Sequence, residues 1–375
     1  SLLRQAVDLR PHHPTLIYTL AVELAASSDT ARAVEALALL RDMGVALDEA
    51  ELEPFAGLGE AASSVLEGFA TNLDPVGESE TACTFEASAY IPESVAIDPK
   101  TGDYYVGSVH QRVIMRVRNG KADAFATRED GLWSVFGLKV DPERNRLWAC
   151  TSATANAEGV PEAERGRSGL LCWDLATGEQ IGRHLLPEDT GEAWLGDLVI
   201  ATDGTVYATD SVRNVIVALP EGGTLETRVA DPRFASLQGL DLSEDQRTLF
   251  VADYSHGVWR VDLESGAATV LPYPERACLL GIDGLYRNGG ELIAIQNGMS
   301  PHRIVRATVN EDSSAITEVH VLAANDPRWD EPTLGQVFDG AFYYVATSQW
   351  GLFNRDGSFR EGAEFKNPLV LRLPL

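Results

Sequence analysis

Two kinds of hydrophobic spacing divide the chain. From Leu2 to about Leu40 apolar residues recur at helical intervals, with Leu16, Leu20 and Leu24 on one stretch and Val34, Leu37 and Leu40 on the next. This predicts two antiparallel helices. Pro11 and Pro14 interrupt the pattern before the first, Asp29 and Thr30 offer a cap before the second, and Gly44 stops it. A further helix is expected over roughly Glu49 to Phe69. After Asn72 the spacing turns alternating, and a unit of strand, tight turn and strand occurs six times. The units are VAIDPKTGDYYVGS from Val95, LKVDPERNRLWACTS from Leu138, LVIATDGTVYATDS from Leu198, LDLSEDQRTLFVADY from Leu240, LYRNGGELIAIQN from Leu285 and VFDGAFYYVATSQ from Val337. Asp, Gly, Asn and Pro give the turns their hairpin geometry, and the flanking Val, Ile, Leu, Tyr and Trp suit half-buried strands.

The units start roughly 40 to 60 residues apart, a span that holds one four-stranded blade. The sequence therefore predicts an all-β six-bladed propeller over 73–375, preceded by a small α-helical segment over 1–72. The last unit has only about three strands before Leu375, so the early stretch Thr84 to Tyr90 is expected to complete it and close the ring without an open edge. The string AVDLRPHHPTLIYTLAVELAASSDTARAVEALALLRDMG resembles a tetratricopeptide repeat with the last helix of an earlier repeat at its front. One repeat and a half cannot bury a solenoid core alone, so this segment must pack on the propeller or on further upstream repeats.

Charge narrows the partners. The net charge is −26, which repels nucleic acid and anionic membrane surfaces. Such acidity serves solubility, and a channel lined by the excess carboxylates would also draw in cations. No apolar run reaches transmembrane length, so membrane insertion is not expected. Cys83, Cys150, Cys172 and Cys278 have no CxxC spacing. Cys150 and Cys172 fall on neighbouring strands of one blade, where two reduced core thiols are expected ahead of a bridge. The compartment stays open, with a bacterial periplasmic or secreted location ahead of a cytoplasmic one.

Topology then sorts the polar residues. With the first strand of each unit innermost, Asp98, Asp141, Asp203 and Asp245 fall in bottom turns, where Asp bonds its local backbone. The top collects residues just before the inner strands: Glu93, Phe136, Gly196 with Asp197, Gln238, Asp283 with Gly284, and Gly335 with Gln336. It also collects residues after the second strands, among them His110, Asp253, His256, Asn297, His302, Gln349 and Trp350. Carboxylates, amides and imidazoles at one channel mouth are the groups that bind a hard metal or shuttle protons. Each has a plainer reading too: a solvated rim acid, a self-capping amide, a hydrogen-bonded loop histidine, or, for Trp133, Trp194 and Trp350, packing between blades.

The segments IPESVAIDPKTGDYYVGSVHQRVIMRV and GLDLSEDQRTLFVADYSHGVWRVDL resemble the gluconolactonase, senescence marker protein, paraoxonase and strictosidine synthase superfamily of six-bladed propellers, over roughly Thr84 to Leu375. The resemblance implies a divalent cation in the channel, calcium first, with zinc, manganese or magnesium as alternatives. It implies Glu93, Asp197, Gln238 and Asp283 as metal ligands, Glu93 matching the family Glu and Asp283 the paraoxonase-type Asp. Asp197 after Gly196, and Gln238, stand where relatives carry Asn, and Phe136 fills the second-blade position. Gly335 and Gln336 leave no counterpart to the Glu of strictosidine synthases. The implied activity is metal-assisted hydrolysis of a lactone or ester, with His256, His302 and Asp283 as candidate catalytic groups and His110, Asp253, Asn297, Gln349 and Trp350 as substrate contacts. The alternative is a non-catalytic propeller that holds a small ligand while its helical segment docks a protein partner.

Overall fold

Each of the six alternating units becomes the inner half of a four-stranded antiparallel sheet. The computed structural model describes residues 2–375. The inner strands, Pro92–Ile97, Ser134–Asp141, Leu195–Ile200, Leu237–Leu242, Ile282–Asn288 and Gly335–Phe338, contact one another in sequence, and the sixth meets the first. The chain is thus an all-β six-bladed propeller behind a short helical stretch. The bottom turns behave as their composition demands: Asp98, Asp141, Asp203 and Asp245 accept backbone N–H groups of Lys100, Arg144, Thr205 and Arg247.

Closure occurs one strand earlier than the sequence suggested. The outer strand of the sixth blade is Glu80–Thr84, paired antiparallel with Leu369–Pro374, and not 84–90. Ala89 and Ile91 have φ of 55° and 50°, a left-handed backbone that no strand tolerates. Phe85 and Tyr90 are buried as a T-shaped pair in this loop, which is why the stretch reads as a strand.

Five inner strands carry one extra residue. The ladder to the second strand skips at Glu93, at Phe136–Gly137, at Gly196–Asp197, at Gln238–Gly239 and at Asp283–Gly284. Such bulges re-aim side chains, and here they coincide with the residues expected at the channel mouth. Neighbouring inner strands approach closely beside them. A Cβ on Gly239 would stand 2.4 Å from the Leu285 nitrogen and 2.6 Å from the Asp283 carbonyl oxygen, so only glycine fits.

All four cysteines are free and buried. Cys150 faces Leu170 and Cys172 faces Trp148 across the ladder, so the two thiols are not cross-strand partners.

The helical segment contains α1 (Leu2–Leu9), α2 (Pro14–Ala26), α3 (Thr30–Asp42), α4 (Glu49–Leu52) and α5 (Glu60–Thr71). The single helix expected over 49–69 is therefore divided. Asp48 and Glu51 form a capping box that starts α4, then Glu53–Leu58, with Pro54, runs as a 3₁₀ turn that ends at Gly59. Among the described residues no helix is long and apolar enough to cross a membrane.

Packing of this segment answers the deficit of a lone repeat. Ile17, Leu37, Leu40, Phe55 and Phe69 form one core with Cys278, Leu280 and Met299 of the propeller. Arg303, 4% exposed, ties the two together. Its guanidinium donates to the Met43 carbonyl at the C-terminus of α3 at 2.7 Å, to the Cys278 carbonyl at 3.1 Å and to Gln296 Oε1 at 2.8 Å. A cation here also suits the negative end of α3. Gly44, at φ 76°, lies so close that a Cβ would be 2.3 Å from the Arg303 Nη1. Arg303→Met should therefore cost about 3 kcal/mol through the acceptors it strands, and Gly44→Ala should destabilise the same junction. Chemical denaturation and limited proteolysis of the helical segment check this. Unchanged midpoints in both variants would refute the assignment.

Candidate functional site

The bulged residues open onto a cavity of about 470 Å3 at the top of the ring. Glu93, Phe136, Asp197, Gln238 and Asp283 come from successive inner strands, while Trp194, Tyr254, Asn297, Glu331 and Trp350 come from loops around them. One wall is aromatic: the Phe136 ring lies 4.9 Å from Trp194 and stacks at 6.4 Å with Trp350.

The opposing chemistry is acidic. Trp350 Nε1 donates to Glu93 Oε2 at 2.8 Å. Tyr254 Oη donates to Asn297 Oδ1 at 2.8 Å, and Asn297 Nδ2 donates in turn to Asp283 Oδ2 at 2.7 Å and the Pro332 carbonyl at 3.1 Å. Thr333 Oγ1 bonds the Glu93 carbonyl, which brings the preceding Glu331 to the cavity.

Burial, then the Asp283 charge beside it, push the Glu93 carboxyl well above the usual range, and the Trp350 N–H offsets this only in part. Burial raises Asp283 to about 7 against the pull of Asn297. Glu331 also rises to about 7, through burial first and then the charges of Asp283 and Asp330. Asp197 is raised by burial, with Lys139 opposing.

The sequence-based candidates separate cleanly by location. Glu93, Asp197, Gln238, Asp283, Asn297 and Trp350 share the cavity. His256 does not line it and instead faces Asp253 at 3.3 Å and the Trp259 ring. Asp253 is consumed by the Ala235 and Ser255 N–H groups and by Trp259 Nε1. His302, whose pKa is lowered by burial, also lies outside. His110 bonds the Asn156 carbonyl at 2.7 Å and packs on Phe359, and Gln349 spends its amide on Thr347 and Lys366. Asn297 and Trp350 also follow second strands, but their side chains reach inward to Asp283 and Glu93. Tyr254 and Glu331 were missed as site residues, although Glu331 sits in a DEPT string just before the sixth inner strand.

The divalent ion implied by the resemblance meets a difficulty in the donor set. Among the described residues no three or more His, Cys, Asp or Glu side chains form a group that could hold a metal ion, so Glu93, Asp197 and Asp283 do not make a preformed cage. Gln238 turns its amide nitrogen to Ser236 Oγ at 3.3 Å.

No family model matches this chain, and no curated protein does. Solved structures do. Regucalcin from Agrobacterium tumefaciens, described as a calcium-binding protein, is 15% identical with a TM-score of 0.52 over 80% of this chain and 95% of its own. Virginiamycin B lyase from Staphylococcus aureus is 13% identical with a TM-score of 0.52 over 80% of this chain and 99% of its own. A Thermus protein described as an oxidoreductase of the glucose dehydrogenase kind is 16% identical with a TM-score of 0.53 over 79% of this chain and 99% of its own. The likeness is one of fold. This six-bladed propeller is related in architecture to proteins described as enzymes and to one described as a binder of calcium, and its chemistry has to be argued from its own cavity.

Raised carboxyl pKa values carry a stability consequence. Between the ordinary carboxylate range near 4 and about 7, the folded protein holds the Asp283 proton and the unfolded chain does not. Stability therefore falls as pH rises through that window, and Glu93 and Glu331 act in the same direction. Asp283→Asn, which keeps an acceptor for Asn297, should be more stable than wild type at pH 8 and lose that advantage by pH 4. Thermal melts across this range provide the check, and parallel curves for the two proteins would contradict it.

Proposed function

We propose that the central cavity binds a small lactone or related ester and hydrolyses it by acid–base chemistry divided between Glu93 and Asp283. The observation that carries this reading is the pair itself: a buried Glu93 and a half-buried Asp283 line one cavity, each oriented by its own donor, and the charge of Asp283 raises Glu93. At neutral pH such a pair retains a proton, the more strongly shifted Glu93 as acid and Asp283 as base. Asp283 takes a proton from water as its oxygen bonds the acyl carbon. Glu93 gives its proton to the leaving oxygen as the acyl C–O bond breaks, and solvent restores both groups. Trp350 and Asn297 are positioning residues, since each fixes one carboxyl. The aromatic wall excludes water from one side and gives the ligand an apolar face.

The finer form of this reading adds a divalent ion, calcium first, at Glu93, Asp197, Gln238 and Asp283. Because no preformed ligand group supports it, no step is routed through a metal. A protein contact through the helical segment belongs to the same proposal, supported by Leu2 and Leu9, which stand largely exposed on α1.

A panel of aryl esters and lactones tests the activity. Glu93→Gln and Asp283→Asn should each lower kcat/KM by about 100-fold or more, whereas His256→Ala, outside the cavity, should leave it unchanged. The rate should rise with pH through about 7 as Asp283 loses its proton. Turnover that survives both carboxyl substitutions would end this reading. Melting temperature with calcium, zinc or manganese, compared with chelator, tests the metal separately.

A further inference from the structure

The carboxylate that the acid–base pair does not use is Asp197. It is 2% exposed, its Oδ1 accepts the Leu198 N–H at 2.8 Å, and its Oδ2 is buried without any hydrogen-bond partner. A buried carboxylate oxygen in that state is costly, and a proton, a water or a donor on a bound molecule relieves the cost. Of the cations of this face, only Lys139 acts on Asp197, through space and without a hydrogen bond to it. Arg213 pairs with Asp210, Lys366 with Asp330, and Lys139 gives its ammonium to the Gly335 carbonyl at 3.2 Å and the face of Tyr286 at 4.4 Å. Asp197 adjoins the aromatic wall: a Cβ on Gly137, next to Phe136, would stand 2.7 Å from its Oδ1, and Trp194 lies three residues before it. Trp194 and Trp350 both line the cavity. A carboxylate with no hydrogen-bonded cation, in a cavity with aromatic faces, is the arrangement that recognises an organic cation, because the rings present negative quadrupoles and the acid supplies charge and an acceptor.

We infer that the cavity takes a ligand bearing an alkylammonium group, which lies against Trp194 and Trp350 and donates to Asp197 Oδ2. The placement of its ester end at Glu93 and Asp283 rests on the hydrolytic reading above; the ammonium site does not. A metal ion would compete for the same negative potential, but its hydration shell would keep it from the ring faces that a weakly hydrated organic cation can touch.

Hexylammonium, 1-hexanol and hexanoate share one apolar chain and differ in charge, so calorimetry and tryptophan fluorescence at pH 8 and low salt decide the matter. Hexylammonium should bind at least tenfold tighter than 1-hexanol, hexanoate should bind more weakly than either, and added salt should weaken only the amine. Asp197→Asn should remove at least tenfold of the amine affinity. Trp194→Leu, at a half-buried position, gives a second variant should the first fold poorly. Equal affinity for amine and alcohol, a preference for hexanoate, or unchanged amine binding in a folded Asp197→Asn protein overturns the inference. So does calcium binding in a cavity indifferent to the amine. Amine binding without turnover of any ester would sink the hydrolytic reading and leave this one standing. Turnover of neutral esters with no preference for ammonium esters would do the reverse.

Discussion

The close approach of neighbouring inner strands around the ring governs everything chemical in this protein. Where Gly137 and Gly239 stand, a single methyl group would collide with the next blade. That contact leaves no room for side chains between strands at the narrow end, so the extra residue in each bulge turns its side chain toward the axis. Glu93, Phe136, Gln238 and Asp283 reach the cavity in this way. The third blade reverses the order, with Gly196 first and Asp197 second, so that its carboxylate sits against the second blade. The same crowding that closes the ring thereby decides which residues share a site.

Burial then changes what those residues are. Separated in solution, four carboxylic acids would be ionised at neutral pH and repel one another weakly through water. Brought into one cavity, Glu93, Asp197, Asp283 and Glu331 are all raised, mostly by loss of water, and at Glu93, Asp283 and Glu331 also by a neighbouring acid of the group. Single donors on Glu93 and Asp283 hold the geometry without cancelling the charge. Such a site keeps protons or accepts a cation, and both alternatives are chemically productive. The aromatic wall separates them, because it stabilises an organic cation and contributes nothing to a hydrated inorganic one.

Much of this was legible before any coordinates. Period-two spacing and turn chemistry identified all six units, and the position of Glu93, Asp197, Gln238 and Asp283 relative to the inner strands placed them correctly at one mouth. What spacing does not encode is which way a side chain turns. His110, His256 and Gln349 lie at the proper end of their blades, as Asn297 and Trp350 do, yet their side chains turn to local partners while those two reach the acids. Glu331 reaches the cavity only because Thr333 Oγ1 and the Leu334 N–H both grip the Glu93 carbonyl, a contact across 240 residues that no local pattern announces. The closing strand was displaced for a comparable reason, since the alternation of Phe85 and Tyr90 reflects burial in a loop whose backbone turns left-handed.

The helical segment adds to this site without touching its acids. From the C-terminus of α3, the Met43 carbonyl receives Arg303, whose Nε holds Gln296 Oε1, while Gln296 Nε2 reaches the Cys278 and Leu280 carbonyls. The next residue is Asn297, the amide that orients Asp283. Tyr254, which fixes the other end of that amide, also lines a second cavity of about 360 Å3 formed against α2 and the residues after α3. Helices that a lone repeat could not stabilise are thus sustained by the propeller core, and in return they brace the loops of the fourth and fifth blades. A buried arginine with no carboxylate partner is an expensive way to fasten two surfaces. Its position explains the expense: carbonyls and an amide fix the guanidinium in a planar fork that a lysine could not reproduce, and that rigidity is passed through one peptide to the carboxyl proposed as the base.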